Sequence, residues 1–251
     1  MMEDFVEFWK IELPSGQPNL HPKDRQWMGR HWPDPLRYPL YKNWDEYAAS
    51  DRFGSYDKAL HLSLIPTPYL GNLRDAKVLL FMANPGFADA DYYFEDQPGI
   101  RERLIFTFTK NPTAISPSFS SIPDWRGRAA SGGGKSCYAA LLAVLVSRRR
   151  TRIQAMEFLS QSIAAVELFP YHSMDGSELK RVDGKLLMPS VSEARNFFAR
   201  SSHNPEQLTV LARAHERWLS PSCAEACEHH LHRPRHQAIS LDPKFKTGEK
   251  Y

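Results

Sequence analysis

Two unbroken apolar runs constrain this chain more than any other feature. Lys77-Val78-Leu79-Leu80-Phe81-Met82-Ala83 stops at Asn84-Pro85-Gly86, and Ile163-Ala164-Ala165-Val166-Glu167-Leu168-Phe169 stops at Pro170. A strand with one face in water alternates polar and apolar residues, whereas a short run without alternation, bounded by turn residues, reads as a strand buried on both faces. Such strands need cover on both sides. Helical patterns between and after the runs supply it: Tyr138 to Val146, apolar all round, then Ile153 to Ser162, residues 191–200, and residues 205–219 with Pro205 near the start. Strands interleaved with helices predict an α/β sandwich with a mainly parallel sheet.

The N-terminal part differs in character. Phe5, Val6, Phe8, Trp9 and Leu13 line one side of a short helix, and Trp44, Tyr47 and Ala48 suggest another. Between them residues 14–43 combine prolines (Pro14, Pro18, Pro22, Pro33, Pro35, Pro39) with Trp27, Trp32 and Tyr38, too many prolines for regular structure and too aromatic for a disordered linker. Residues 1–60 are therefore expected to form an irregular extension wrapped on the core of an α/β domain spanning 61–251.

Composition narrows the setting. A chain of 251 residues, 42% apolar and 24% charged, buries a full core without disulfides or a structural metal. Three cysteines, an odd number, disfavour a secreted disulfide framework. The first thirty residues start acidic at Glu3 and Asp4 and hold no signal-peptide core, and no stretch has the length and apolarity of a membrane span. The expectation is a cytoplasmic protein with no membrane partner. A net charge of +3 neither requires nor excludes nucleic acid, because binding depends on where charge is clustered.

In open α/β sheets ligands bind outside the carboxyl ends of the strands. That position nominates two loops, Asn84-Pro85-Gly86-Phe87 and Pro170-Tyr171-His172-Ser173. On local grounds Asn-Pro-Gly is equally a plain turn, and Tyr171 and His172 equally structural.

The run Leu79 to Gly86 resembles the first active-site motif of the uracil-DNA glycosylase superfamily, in whose mismatch-specific and single-strand-selective branches a buried strand enters Gly-x-Asn-Pro-Gly. Met82 stands where that motif has its first Gly. Glu167-Leu168-Phe169-Pro170-Tyr171 is similar to the superfamily's Asn-x-Cys-Pro-Leu, where the Asn reads the flipped base. Ser240-Leu241-Asp242-Pro243, leading to Gly248, is a weak counterpart of the third motif, with Ser240 in the place of its catalytic His.

The resemblance implies a three-layer, uracil-DNA glycosylase-like sandwich and a DNA glycosylase that needs no cofactor and no metal, with DNA as its partner. Such an enzyme draws the base out of the stack and leaves an abasic site. It implies that Asn84 holds the attacking water and that an aromatic ring stacks on the base, with Phe94 and Phe87 ahead of Tyr92 and Tyr93 as candidates. Tyr171 is a further base-binding candidate. Asp89 and Asp91 are candidates for a water-activating base, or caps of a helix that starts there. His172 is the available substitute for the missing third-motif His. Glu167 is the informative departure: a carboxylate only accepts hydrogen bonds, so it suits an exocyclic amine and points to a cytosine-like or modified base. A salt bridge would explain Glu167 as well.

Basic residues near the third motif, Arg233, Arg235, Lys244 and Lys246, join Ser240 as candidates for DNA phosphate contact. Arg148 to Arg152 are either a second such patch or the dipole complement of a helix C-terminus. Two signals compete. Gly132-Gly133-Gly134-Lys135-Ser136 has the end of a phosphate-binding loop, but Ala129 occupies the position of its first Gly and no buried strand precedes it. Cys223, Cys227, His229, His230 and His232 have metal-ligand chemistry without a familiar zinc spacing. The rival functions are a non-catalytic DNA-binding protein of the same fold and a nucleoside or nucleotide hydrolase.

Overall fold

A computed structural model describes residues 2–10, 18–31, 38–56, 58–109, 151–174, 187–211 and 215–218. The expected helix at 138–146 lies outside them. The chain opens with helices α1 (Met2–Trp9), α2 (Pro22–His31) and α3 (Trp44–Ala48), followed by strands β1 (Tyr69–Leu70) and β2 (Val78–Met82). Helices α4 (Ala90–Glu95), α5 (Ile100–Thr109) and α6 (Arg152–Ser162) precede β3 (Ile163–Glu167). Then come α7 (Pro189–Ser201), β4 (Leu208–Leu211) and α8 (His215–Trp218).

Both apolar runs form inner strands of a four-stranded sheet ordered β1-β3-β2-β4. β2 pairs in parallel with β3, Val78 opposite Ile163 and Met82 opposite Glu167, and with β4 on its other side. β1 pairs antiparallel with β3, Tyr69 opposite Val166. The sheet is therefore mixed, which corrects the expectation of a mainly parallel one. The reason is connection length: residues 71–77 are too few for the crossover of a dozen or more residues that parallel strands require. Gly71 completes this tight passage. Its φ is +85°, and a Cβ there would lie 2.5 Å from the Ile163 carbonyl oxygen on β3, so only glycine fits.

Burial on both faces is as expected for β2 and β3. Leu79, Phe81, Ala164 and Val166 join one core with Phe197 and Phe198 of α7 and Phe5 and Trp9 of α1. Leu80, Ile163 and Ala165 pack with Leu159 of α6 on the opposite face. α6 begins in a capping box, Thr151 and Gln154 exchanging side-chain and backbone hydrogen bonds, and passes directly into β3.

Two further sequence expectations fail. Residues 22–31 are helical despite the surrounding prolines, because Pro22 sits at the first helical position, where a missing N–H costs nothing. Residues 208–211, expected within a helix, form β4: Leu208 to Leu211 fit beside β2, and the ladder outweighs the local pattern. Among the described residues no helix is long and apolar enough to cross a membrane.

Candidate functional site

From β2 the chain winds to β3 on one side and to β4 on the other, so the winding reverses at the carboxyl end of β2. This is where open α/β sheets place ligands. Asn84-Pro85-Gly86 leaves that end, and Gly86 takes a φ of +75° to turn the chain toward α4. On the β4 side the space is filled: Trp218, fully buried, donates from Nε1 to the Met82 carbonyl at 3.0 Å. Sequence reasoning did not single out Trp218.

The two nominated loops meet. Asn84 Nδ2 donates to the Ser173 carbonyl at 2.8 Å and to the Ser173 hydroxyl at 3.1 Å. With both amide hydrogens placed, Oδ1 remains as the acceptor. His172, buried, lies between the loops, with Nδ1 3.0 Å from the Gly86 carbonyl oxygen and Nε2 3.2 Å from that of Ile65 and 3.3 Å from Thr67 Oγ1. Its Nδ1 is 3.8 Å from Asp91 Oδ2. Both ring nitrogens are thus engaged by protein atoms, which makes His172 a brace between loops.

Residues 61–69 are buried without forming a helix, so their backbone groups must find partners. His61 N–H donates to the His172 carbonyl at 2.9 Å, Thr67 N–H to that of Pro170 at 2.8 Å, and Ile65 N–H to both oxygens of Glu95. Glu95 is buried and paired with Arg101 at 3.0 Å. This strap, with Glu95 and Arg101, went unnoticed in the sequence because its buried residues carry no period.

The aromatic candidates separate. Phe87 is buried, its ring stacked on His61 at 3.4 Å between centroids and edge-on to Tyr47 and Tyr92. Phe94 and Tyr93 lie on α4, Phe94 half-buried and Tyr93 exposed. Asp89 occupies the N-cap position of α4, yet its side chain makes no cap; it accepts instead from the Tyr47 hydroxyl. Burial, with Asp89 second, pushes the Tyr47 phenol well above its usual range. Asp91 Oδ2 does bond a neighbouring backbone group, the Ala88 N–H, at 3.0 Å.

Tyr171 is fully buried and committed elsewhere. Its hydroxyl donates to Asp24 Oδ2 at 2.6 Å and accepts from the His21 N–H at 3.2 Å. Glu167, buried at the end of β3, is opposite Met82 and shares the alternation of Ile163 and Ala165. Ser240, Lys244, Lys246, Arg233 and Arg235 lie outside the described residues, as do Gly132 to Ser136, Arg148 to Arg150 and the Cys223 to His232 cluster. Among the described residues no group of three or more His, Cys, Asp or Glu is placed to hold a metal ion. Comparison with protein-family models, curated proteins and solved structures finds no match to this chain.

Proposed function

We propose that this chain is a DNA glycosylase of the uracil-DNA glycosylase type, receiving an extruded, cytosine-like base beside the loops after β2 and β3. The observation that carries the reading is the junction of Asn84 with Ser173, because it orients the amide: both donors are spent on Ser173, and Oδ1 is left to accept from a water. That water adds its hydroxyl to the sugar C1′. The N-glycosidic bond breaks with its electron pair leaving on the base, which takes up the remaining proton. The net reaction consumes one water and leaves an abasic site.

Other residues divide the work. Glu167 accepts from the exocyclic amine of the base, discrimination worth about 1–3 kcal/mol. Phe94, only half-buried, is the stacking ring, since His61 already covers a face of Phe87. Asp89 activates the water, and His172 braces the loops without touching the base. The same reading takes the sheet, with α7 on one face and α6 on the other, as the middle layer of a three-layer sandwich. Ser240, Lys244, Lys246, Arg233 and Arg235 contact phosphate.

The test is abasic-site formation on DNAs carrying uracil, cytosine or substituted cytosines, read as strand breakage under alkali for wild type and Asn84→Ala side by side. Breakage with one base class, lost in Asn84→Ala, is the expected result. No breakage with any base, together with salt-sensitive DNA binding, would leave a non-catalytic binding protein. Hydrolysis of free nucleosides without DNA binding would leave a nucleoside hydrolase.

A further inference from the structure

Three aromatic rings meet where α3, the turn that follows it and α4 come together. Trp44 opens α3, Phe53 lies in the turn, and Tyr93 stands on α4. The Trp44 ring meets Phe53 at 5.6 Å between centroids and 84° between planes, and Tyr93 at 5.5 Å and 77°. On its inner side the cluster is anchored: Phe53 is edge-on to Tyr47, which stacks on Tyr92 at 4.2 Å in the buried aromatic core. Its outer side is open. Phe53 is 46% exposed and Tyr93 53%. A lone exposed ring is ordinary, whereas exposed rings in mutual contact mark a binding surface.

The rim of this surface is acidic. Asp45 follows Trp44, Asp51 comes two residues before Phe53, and Asp96 accepts from the Trp44 N–H at 3.4 Å; all three are exposed. Glu46, also exposed, accepts from the Lys42 N–H. The cations on the same segments are Lys42, exposed, and Arg52, half-buried, while Arg101 is paired with the buried Glu95. Carboxylates therefore outnumber cations around the rings, although the whole chain carries a net charge of +3. Such a rim repels phosphate and attracts cations, and the faces of aromatic rings attract cations as well. The adjoining segment already carries one such contact, with Lys58 Nζ 5.7 Å from the Tyr56 ring centroid.

We propose that Trp44, Phe53 and Tyr93, rimmed by Asp45, Asp51 and Asp96, form a docking surface for an arginine-rich segment of a partner protein. Arginine fits this surface better than lysine. Its planar guanidinium lies flat against an aromatic ring and is weakly hydrated, and its fork of donors gives a carboxylate two parallel hydrogen bonds. Rings and carboxylates alternate along the same two segments of the chain, so neighbouring arginines find both. The rings are held against one another before the partner arrives, which lowers the ordering cost of binding. Nothing in this docking depends on the glycosylase reading.

The test is calorimetric titration of the full chain with hexaarginine, hexalysine and an oligothymidylate, for wild type and for the double variant Phe53→Ala/Tyr93→Ala. Both side chains are exposed, and thermal unfolding confirms that the variant is folded. Hexaarginine is expected to bind about threefold or more tighter than hexalysine. The double variant is expected to weaken hexaarginine about tenfold, from two cation–π contacts of about two- to fivefold each. Asp45→Asn/Asp96→Asn is expected to weaken it about threefold and to flatten its dependence on salt. The indole N–H resonance of Trp44, assigned with Trp44→Phe, is expected to shift as hexaarginine is added. Absence of hexaarginine binding, or equal affinity in wild type and the Phe53→Ala/Tyr93→Ala variant, would overturn the docking surface. So would tighter binding of oligothymidylate than of hexaarginine at these rings, or self-association of the chain that the same variant abolishes, which would give the surface to DNA or to a second copy.

Discussion

Asn84 gives both amide hydrogens to Ser173, one to the carbonyl at 2.8 Å and one to the hydroxyl at 3.1 Å, and so ties together the loops that leave two neighbouring parallel strands. The pair makes an asymmetric prediction. Ser173→Ala removes only the hydroxyl acceptor and should cost about 0.5–1 kcal/mol, whereas Asn84→Asp sets a carboxylate against a carbonyl and should cost about 1–3 kcal/mol. Urea unfolding of the two variants checks this, and equal losses would show that the main-chain bond does not hold the loops.

Glycines 71 and 86 both take positive φ, but their surroundings differ. At Gly86 nothing lies within 4 Å of an added Cβ, so Gly86→Ala should cost about 1 kcal/mol, the backbone penalty alone. At Gly71 the added carbon meets β3 backbone, and Gly71→Ala should cost about 2–4 kcal/mol. Thermal unfolding should rank the variants in that order.

Asp24 and His21 make opposite contributions to stability as pH changes. The folded Asp24 pKa is raised, to about 6, so its contribution is complete below its unfolded value near 3.8 and is lost as pH rises through about 6. The span corresponds to about 3 kcal/mol. The folded His21 pKa is lowered, to about 4, so its contribution is present above 6.5 and is lost as pH falls toward 4. Relative to wild type, Asp24→Asn should gain stability above about pH 6 and His21→Gln should lose it there. Denaturant midpoints measured from about pH 4 to about pH 8 decide it, and parallel curves for all three proteins would contradict the assignment.

His172→Gln separates bracing from chemistry. Removing a buried ring with both nitrogens engaged should cost about 2–4 kcal/mol. A leaving-group role would instead abolish abasic-site formation with stability intact. Activity and unfolding measured on one preparation distinguish the two.

Glu167→Gln tests base selection. Gln offers a donor where Glu offers only acceptors, so preference should move away from bases with an exocyclic amine at that edge by about tenfold or more. Relative single-turnover rates on cytosine-type and uracil-type substrates report it. An unchanged ratio would make Glu167 structural.

What the sequence determined by itself was local. Two strands buried on both faces, the loops ending them, and the helices near 2–9, 44–48, 153–162 and 191–200 follow from apolar pattern and turn residues, because periodicity records which sides of an element are covered. Tertiary structure decided the rest. Tyr69-Leu70 and Leu208 to Leu211 are strands because β3 and β2 lie beside them, and a short strand's identity resides in its ladder partner. Tyr171 was nominated by its place at a strand end, yet its buried hydroxyl had to be satisfied by whichever polar group arrived, and α2 brought Asp24. The same need placed Trp218 on the Met82 carbonyl and Glu95 on the Ile65 N–H. No local pattern encodes such pairings, because the partner of a buried polar atom is chosen by how distant segments pack.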